Sequence, residues 1–175
     1  MILYALAAAA VAIAVLLVYA STLPGTMVVQ RSTAVNAAAA KIFLLINDFH
    51  EWSKWSPWET LDAALKRTYA GAASGPGALY GWTGNRRVGQ GRMEIMDVTP
   101  PSNVTIKLDF IKPFEGHNVV TISLAPSGGA TTVTWLMTGP RPFLMKVMGV
   151  FMNMDKMVGA DFERGLANIK SVAEQ

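Results

Sequence analysis

The feature that most restricts the fold is the alternation of apolar and polar residues between Asn103 and Thr138. Val104, Ile106, Leu108 and Phe110 share one parity, while Thr105, Lys107 and Asp109 take the other. Val120, Ile122 and Leu124 repeat the pattern, as do Val133, Trp135 and Met137 among threonines. A period of two predicts strands with one face on a core and the other in water. Lys112-Pro113 and Ser127-Gly128-Gly129 separate three such strands, Asn103 to Ile111, Asn118 to Leu124 and Thr131 to Thr138. Upstream, Leu65 to Ala70, Ala78 to Thr83 and Gly89 to Val98 read as three more, divided by Gly71 to Gly77, Gly84-Asn85 and Pro100-Pro101. Strands joined in series by short turns form a curved antiparallel sheet, and its apolar face needs a cover.

The cover follows at once. Leu144, Val147, Phe151, Met154, Val158, Phe162, Leu166 and Ile169 recur at three- and four-residue steps. This spacing predicts one continuous helix from Pro142 to Val172, about 45 Å long. Gly139-Pro140-Arg141-Pro142 ends the last strand and starts that helix. Met145, Met148, Met152, Met154 and Met157 thicken the stripe, and methionine makes an adaptable wall as well as a core filler. Gly149, Gly159 and Gly165 each weaken the helix by about 1 kcal/mol relative to alanine, which points to close approach to the sheet or to a bend that admits a ligand.

Before the meander, Met27 to Val35 reads as a strand, and Asn36 as the N-cap of a short helix over Ala37 to Ile46. Trp52, Trp55 and Trp58 then fall within seven residues ended by Ser56-Pro57-Trp58. We read them as a plug at a core edge, each indole N–H aimed at a partner.

Met1 to Ala20 is wholly apolar, and the first charge is Arg31. Twenty helical residues span about 30 Å, the thickness of a hydrocarbon core. The segment reads as an N-terminal membrane anchor with Tyr4 and Tyr19 near the interfaces. A cleaved signal peptide ending near Val18-Tyr19-Ala20 is the rival, opposed by the missing basic n-region and the length of the run. Arg31 and Lys41 follow the span, which favours a cytoplasmic domain. Cleavage or inversion would instead make the domain secreted or periplasmic. The expected division is an anchor over 1–21, a linker over 22–26 and one ligand-binding domain over 27–175, within the single-domain range of a 175-residue chain.

Composition narrows the chemistry. Net charge is +3, but only 15% of residues are charged and the basic ones are scattered, which argues against nucleic acid as a partner. The absence of cysteine excludes disulfides, zinc thiolates and a cysteine nucleophile. His50 and His117 stand alone, outside any metal-ligand spacing, and Gly89-Gln90-Gly91 lacks the third glycine of a dinucleotide loop. We therefore expect no metal and no cofactor. The candidate polar groups are Tyr80, Arg92, Glu94 and Asp155, with Tyr69 as a further donor. Arg92 and Glu94 share a parity and could orient a ligand or move a proton if they faced inward. Met93 and Ile95 make the better inner face, so an exposed cross-strand pair is the competing reading. Asp155 reads equally as a helix cap or a surface ion pair.

The order of elements resembles the START-like (SRPBCC) superfamily in its polyketide cyclase/dehydrase-like branch. The residues that carry the likeness are Val28 to Phe43, the Trp52-to-Trp58 segment, Gly77-Ala-Leu-Tyr-Gly-Trp82, Gly89-Gln-Gly-Arg-Met-Glu-Ile95, the Gly129-to-Trp135 hairpin and Asp161-Phe-Glu-Arg-Gly-Leu166. The resemblance implies an α+β helix-grip fold, a curved antiparallel sheet wrapped around a long C-terminal helix, here preceded by a hydrophobic N-terminal helix. It also implies a cavity between sheet and helix. The inner parities would line it with Trp82, Met93, Ile95, Ile106, Leu108 and Phe110, joined by Trp135 and Met137 and by Met154, Val158 and Phe162 from the helix. Such a lining suits an apolar partner. Three functions follow as expectations: membrane-tethered binding of a lipid or other hydrophobic small molecule, cyclase/dehydrase-like catalysis by polar groups in the cavity, or a structural or interaction domain with a filled core.

Overall fold

The computed structural model describes residues 1–175. A first helix, α1 (Ile2–Thr22), leads into β1 (Thr26–Val35), α2 (Ala39–Ile46) and a 3-10 turn at Glu51–Lys54. Strands β2 (Lys66–Gly71), β3 (Ala78–Thr83), β4 (Gln90–Thr99), β5 (Asn103–Lys112), β6 (Gly116–Ser127) and β7 (Ala130–Pro140) follow. Two helices, α3 (Phe143–Phe151) and α4 (Met154–Ala173), complete the chain. The strands form one antiparallel sheet in the order β1-β7-β6-β5-β4-β3-β2. Consecutive strands are neighbours throughout β2 to β7, as short turns dictate, and β1 closes the far edge against β7. This is the α+β, helix-grip-like architecture expected from the sequence.

Register decides which side chains share a face. Opposed pairs such as Tyr80↔Met93, Met93↔Leu108, Ile95↔Ile106, Val104↔Ile122 and Ile122↔Trp135 put the apolar parity on one side. That side holds the core, with Ile95, Ile106, Ile122, Val133 and Val104 fully buried. A register shift between Ile95 and Asp97 lets Met96 project outward and bends β4, adding to the curvature.

The opposite parity carries charge. Arg92 lies opposite Asp109 and Glu94 opposite Lys107. Asp109 is nearly covered, receiving Arg92 Nε at 3.0 Å, with Lys107 Nζ 3.4 Å away and His117 Nδ1 at 2.7 Å. Burial pushes the Asp109 carboxyl up, but the His117 and Arg92 hydrogen bonds and the Lys107 charge outweigh it and hold it below its ordinary range. A carboxylate lowered by folding stabilises above its ordinary range, near pH 4, and loses that contribution as pH falls through the lowered value. Asp109→Asn should therefore cost about 1 kcal/mol near pH 7, a modest figure because its partners are exposed. The difference from wild type should shrink in urea melts at about pH 3.

The C-terminal cover departs from the single helix expected over Pro142 to Val172. The apolar period runs on, yet the backbone becomes extended at Met152 (φ −127°, ψ 121°) and a new helix starts. Asn153 caps that helix, its side chain accepting from the Lys156 N–H at 2.9 Å, and Asp155 adds a negative charge in the first turn. Asn36, expected as a cap for α2, is not one. Ala38 occupies the N-cap position, and the Asn36 N–H instead donates to Glu174 Oε1 at 2.7 Å.

Helix α4 runs alongside β1 in the same direction. Arg31, on the inner face of β1, donates to Glu163 Oε1 at 2.8 Å and to both carboxylate oxygens of Asp155 at 3.1 Å. Further along, Lys170 Nζ donates to the Ala34 carbonyl at 2.9 Å. Two helix glycines make this approach possible. A Cβ on Gly159 would collide with the Arg31 guanidinium, and one on Gly165 would stand 2.6 Å from the Trp135 ring. The sheet thus has two distinct ends. At one, β1 begins and β7 finishes beside α1 and α3; at the other, α2 and the C-terminus of α4 close the core.

Candidate functional site

The inner face is not packed equally along its length. Toward α2, Ile95, Ile106 and Ile122 have no exposed surface. Toward α1, the next residues of the same parity keep contact with solvent: Trp82 is 9% exposed, Met93 8% and Leu108 8%, and Phe110 is half-buried. The reason is where α4 lies. It seats on the β1 edge, with lesser contact to β7, and its first turns hold Met154 and Val158 half-buried. The inner face of β3 to β5 toward α1 is therefore covered less completely than the rest, with Phe110, Met154 and Val158 half-buried.

Aromatic rings pack around this part of the face. Trp82 lies over the sheet because β4 carries Gly91 beneath it; a Cβ there would meet the indole and stand 2.6 Å from the Asp109 carbonyl. Phe110 packs edge-on against Trp82 at 5.9 Å, and Tyr80 stacks on its other side at 6.1 Å. A second group of rings centres on Trp135, stacked on Phe162 at 4.4 Å and met edge-on by Trp52, Trp55 and Trp58. Trp55 Nε1 donates to the Leu45 carbonyl at 2.9 Å and Trp52 Nε1 to that of Ile46 at 3.2 Å, so these two indoles seal the core edge. Trp135 Nε1 is buried without an acceptor in the protein, while Trp58 remains half-buried.

One polar cluster sits among these rings. Glu59, in the loop after Trp58, keeps only 7% of its side chain exposed. Its Oε1 accepts the Tyr80 hydroxyl at 2.6 Å and its Oε2 accepts Arg67 Nε at 2.5 Å. Register explains the meeting: Tyr69 and Tyr80 are opposed, as are Arg67 and Trp82, so β2 aims Arg67 and Tyr69 inward. Burial, then the Glu59 carboxylate, pushes the Tyr80 phenol far above its ordinary value. Tyr80 is therefore a neutral, oriented donor throughout the physiological range. Beyond it, Tyr69 stacks on His50 at 4.2 Å, over a rim recess of about 230 Å³ between Phe49 and the β2–β3 turn.

The other sequence candidates lie elsewhere. Arg92 and Glu94 are on the outer face, and Asp155 is exposed and paired with Arg31 at the edge of α4. Tyr80 alone of the four polar candidates faces inward. Of the apolar candidates, Ile95 and Ile106 belong to the closed half of the core, whereas Trp82, Met93, Leu108, Phe110, Met154 and Val158 border the open half. Met137, Trp135 and Phe162 lie between the two, nearly or fully buried. Glu59, Arg67 and Asn118 were not among the candidates. Asn118 is a buried polar residue opposite Leu108, and alternation along β6 had already placed it on the apolar parity with Val120.

Solved structures share this architecture at low identity. A protein from Chromobacterium violaceum aligns with a TM-score of 0.60 at 13% identity, over 87% of this chain and 99% of that one. The Aha1 dimer from Colwellia psychrerythraea gives 0.61 at 12% identity, over 85% and 96%. A Mesorhizobium loti protein gives 0.59 at 16%, over 84% and 95%. Such likeness establishes the fold alone. No curated protein matches the sequence. The family described as polyketide cyclase / dehydrase and lipid transport matches residues 26–174, from the first residue of β1 to the residue after α4. The chain belongs to that family.

Proposed function

We propose that this protein binds a lipid or other hydrophobic small molecule in the groove between the sheet and the start of α4, held beside a bilayer by α1. The observation that supports the reading is a packing difference on the inner face of β3 to β5: Ile95, Ile106 and Val104 are 0% exposed, whereas Trp82, Met93 and Leu108 are 8–9% exposed and Phe110 is half-buried. In this reading the ligand completes the cover over Phe110, Met154 and Val158, which the protein leaves half-buried. Family membership supports a hydrophobic ligand. Helix α1 supports a membrane anchor, being 21 residues long and charge-free, with only Ala20 buried. In this reading residues 1–21 anchor, 22–26 link and 27–175 bind, and Arg31 and Lys41 favour a cytoplasmic domain.

Binding is favoured over catalysis by how the polar groups are committed. Both Glu59 oxygens are engaged, Tyr80 is held protonated, and Arg92, Glu94 and Asp155 lie outside the groove. The arrangement leaves no group in this cluster poised to transfer a proton. Trp135 Nε1 is a buried donor without a protein acceptor, and in this reading a ligand carbonyl or hydroxyl supplies one.

The test is native mass spectrometry of the full chain extracted from its own membranes, paired with uptake of a fluorescent phospholipid. Co-purifying apolar molecules and saturable uptake are expected. Leu108→Trp, which fills the open half, should weaken uptake about tenfold, the equivalent of about 1.4 kcal/mol. Absence of both bound lipid and uptake in a folded chain would defeat the reading.

A further inference from the structure

Helix α3 has a composition that water does not explain. Phe143-Leu-Met-Lys-Val-Met-Gly-Val-Phe151 contains seven apolar residues in nine, and none of the nine is buried. Phe151 is 74% exposed, Leu144 66% and Phe143 50%. A helix of this length is marginal in isolation and needs a surface to form on. The element it packs beside is α1. The extended residue Met152 and the cap at Asn153 detach it from α4, so that it lies at the end of the sheet instead of over its face.

The turns at that end share its character. Phe114, in the β5–β6 turn, is 71% exposed, and Ile111 just before it 42%. Around them stand Arg86, Arg87, Lys112, Arg141 and Lys146, against Asp62 and Glu115. Asp62 is partly engaged, accepting the Asn85 N–H at 2.7 Å. The turns at the opposite end, residues 71–78, 99–103 and 127–130, contain no charged residue and no aromatic one. Exposed phenylalanines are therefore confined to the end from which α1 departs, where β1 starts four positions after Thr22.

We infer that α3 and the Phe114 turn form a second membrane contact, lying in the headgroup–acyl boundary of a bilayer that carries anionic lipid. The inference rests on the reading that α1 spans that bilayer, because continuity with α1 puts both elements at its surface. Apolar side chains enter the boundary while Arg86, Arg87, Lys112 and Lys146 meet anionic headgroups. The domain is then fixed with the groove mouth, between α4's first turns and Phe110, facing lipid. A hydrophobic ligand can pass between bilayer and groove without crossing water.

The absence of native cysteine makes the test direct. Single cysteines replace Leu144, Phe151 or Phe114, with Ser127→Cys and Ala10→Cys as references, each carrying a nitroxide in the full chain. The chain is reconstituted into phosphatidylcholine vesicles with and without phosphatidylglycerol. Collision with oxygen is compared with collision with a water-soluble nickel chelate. Labels at 144, 151 and 114 are expected to favour oxygen several-fold over the label at 127, and more strongly when phosphatidylglycerol is present. If the label at 10 is embedded while those three are aqueous, the second contact is overturned and the anchor stands. If the label at 10 is aqueous, the anchor itself fails and the inference with it. Depths indifferent to phosphatidylglycerol overturn the role of the basic residues. Spin–spin broadening between copies with aqueous labels assigns the surface to self-association and overturns the membrane contact.

Discussion

Trp135→Ala is expected to remove about 3–5 kcal/mol of stability, lowering the urea midpoint of the detergent-solubilised chain by about 2 M. Trp135 is 2% exposed and packs against Phe162, Trp52, Trp55 and Trp58, so truncation leaves a void that four aromatic neighbours cannot all relax into. The phenylalanine variants separate volume from hydrogen bonding. Trp55 donates to the Leu45 carbonyl, whereas Trp135 Nε1 has no acceptor in the protein. Trp55→Phe should therefore cost about 1 kcal/mol more than Trp135→Phe for a similar loss of volume. Equal costs would show that the Trp135 N–H is satisfied in the ligand-free protein. Lipid uptake tests the proposed ligand contact: Trp135→Phe should weaken uptake of a carbonyl-bearing lipid while costing the empty fold less than Trp55→Phe does.

Much of this architecture was legible because period-two alternation reports a face directly. The strands observed differ from those expected by a few residues at their ends, and the inner parity of β3 to β7 is the one predicted. The break before α4 was harder to see because the apolar period passes through it unaltered. The stripe Leu144, Val147 and Phe151 has helical spacing whether it meets a sheet or something outside the protein. The available signal was Asn153 followed by Asp155, an N-cap pair inside an apparently continuous helix. Glu59 was invisible for a different reason. It is a lone acidic residue in a loop, and its partners Arg67 and Tyr80 lie eight and twenty-one positions away. Strand register alone brings them together. The helix glycines were legible as close contacts, but not that Gly159 admits an arginine, Arg31, rather than the sheet backbone.

Glu59→Ala should cost about 2–3 kcal/mol, although the residue is a single acid in a loop. Removing it leaves the Tyr80 hydroxyl and the Arg67 guanidinium without their shared acceptor beneath an aromatic wall. The cost falls at or below the foot of the roughly 3–5 kcal/mol range for breaking a buried ion pair because Arg67 keeps 32% of its side chain exposed and can recover water. Tyr80→Phe isolates the other half of the cluster, since it deletes the donor and spares the ion pair. Tyr80 is a group whose folded value is raised, so its contribution is complete below the ordinary phenol range and declines as pH rises above about 10, where only the unfolded phenol ionises readily. Wild-type stability should fall along an alkaline limb beginning there, and Tyr80→Phe should flatten it. Tyr69, raised by its burial first and then by the Glu59 charge, will leave a smaller residual slope. An unchanged alkaline limb in Tyr80→Phe would mean that the phenol is not locked to Glu59, and the Glu59–Tyr80 pair would lose its place in the account of the fold.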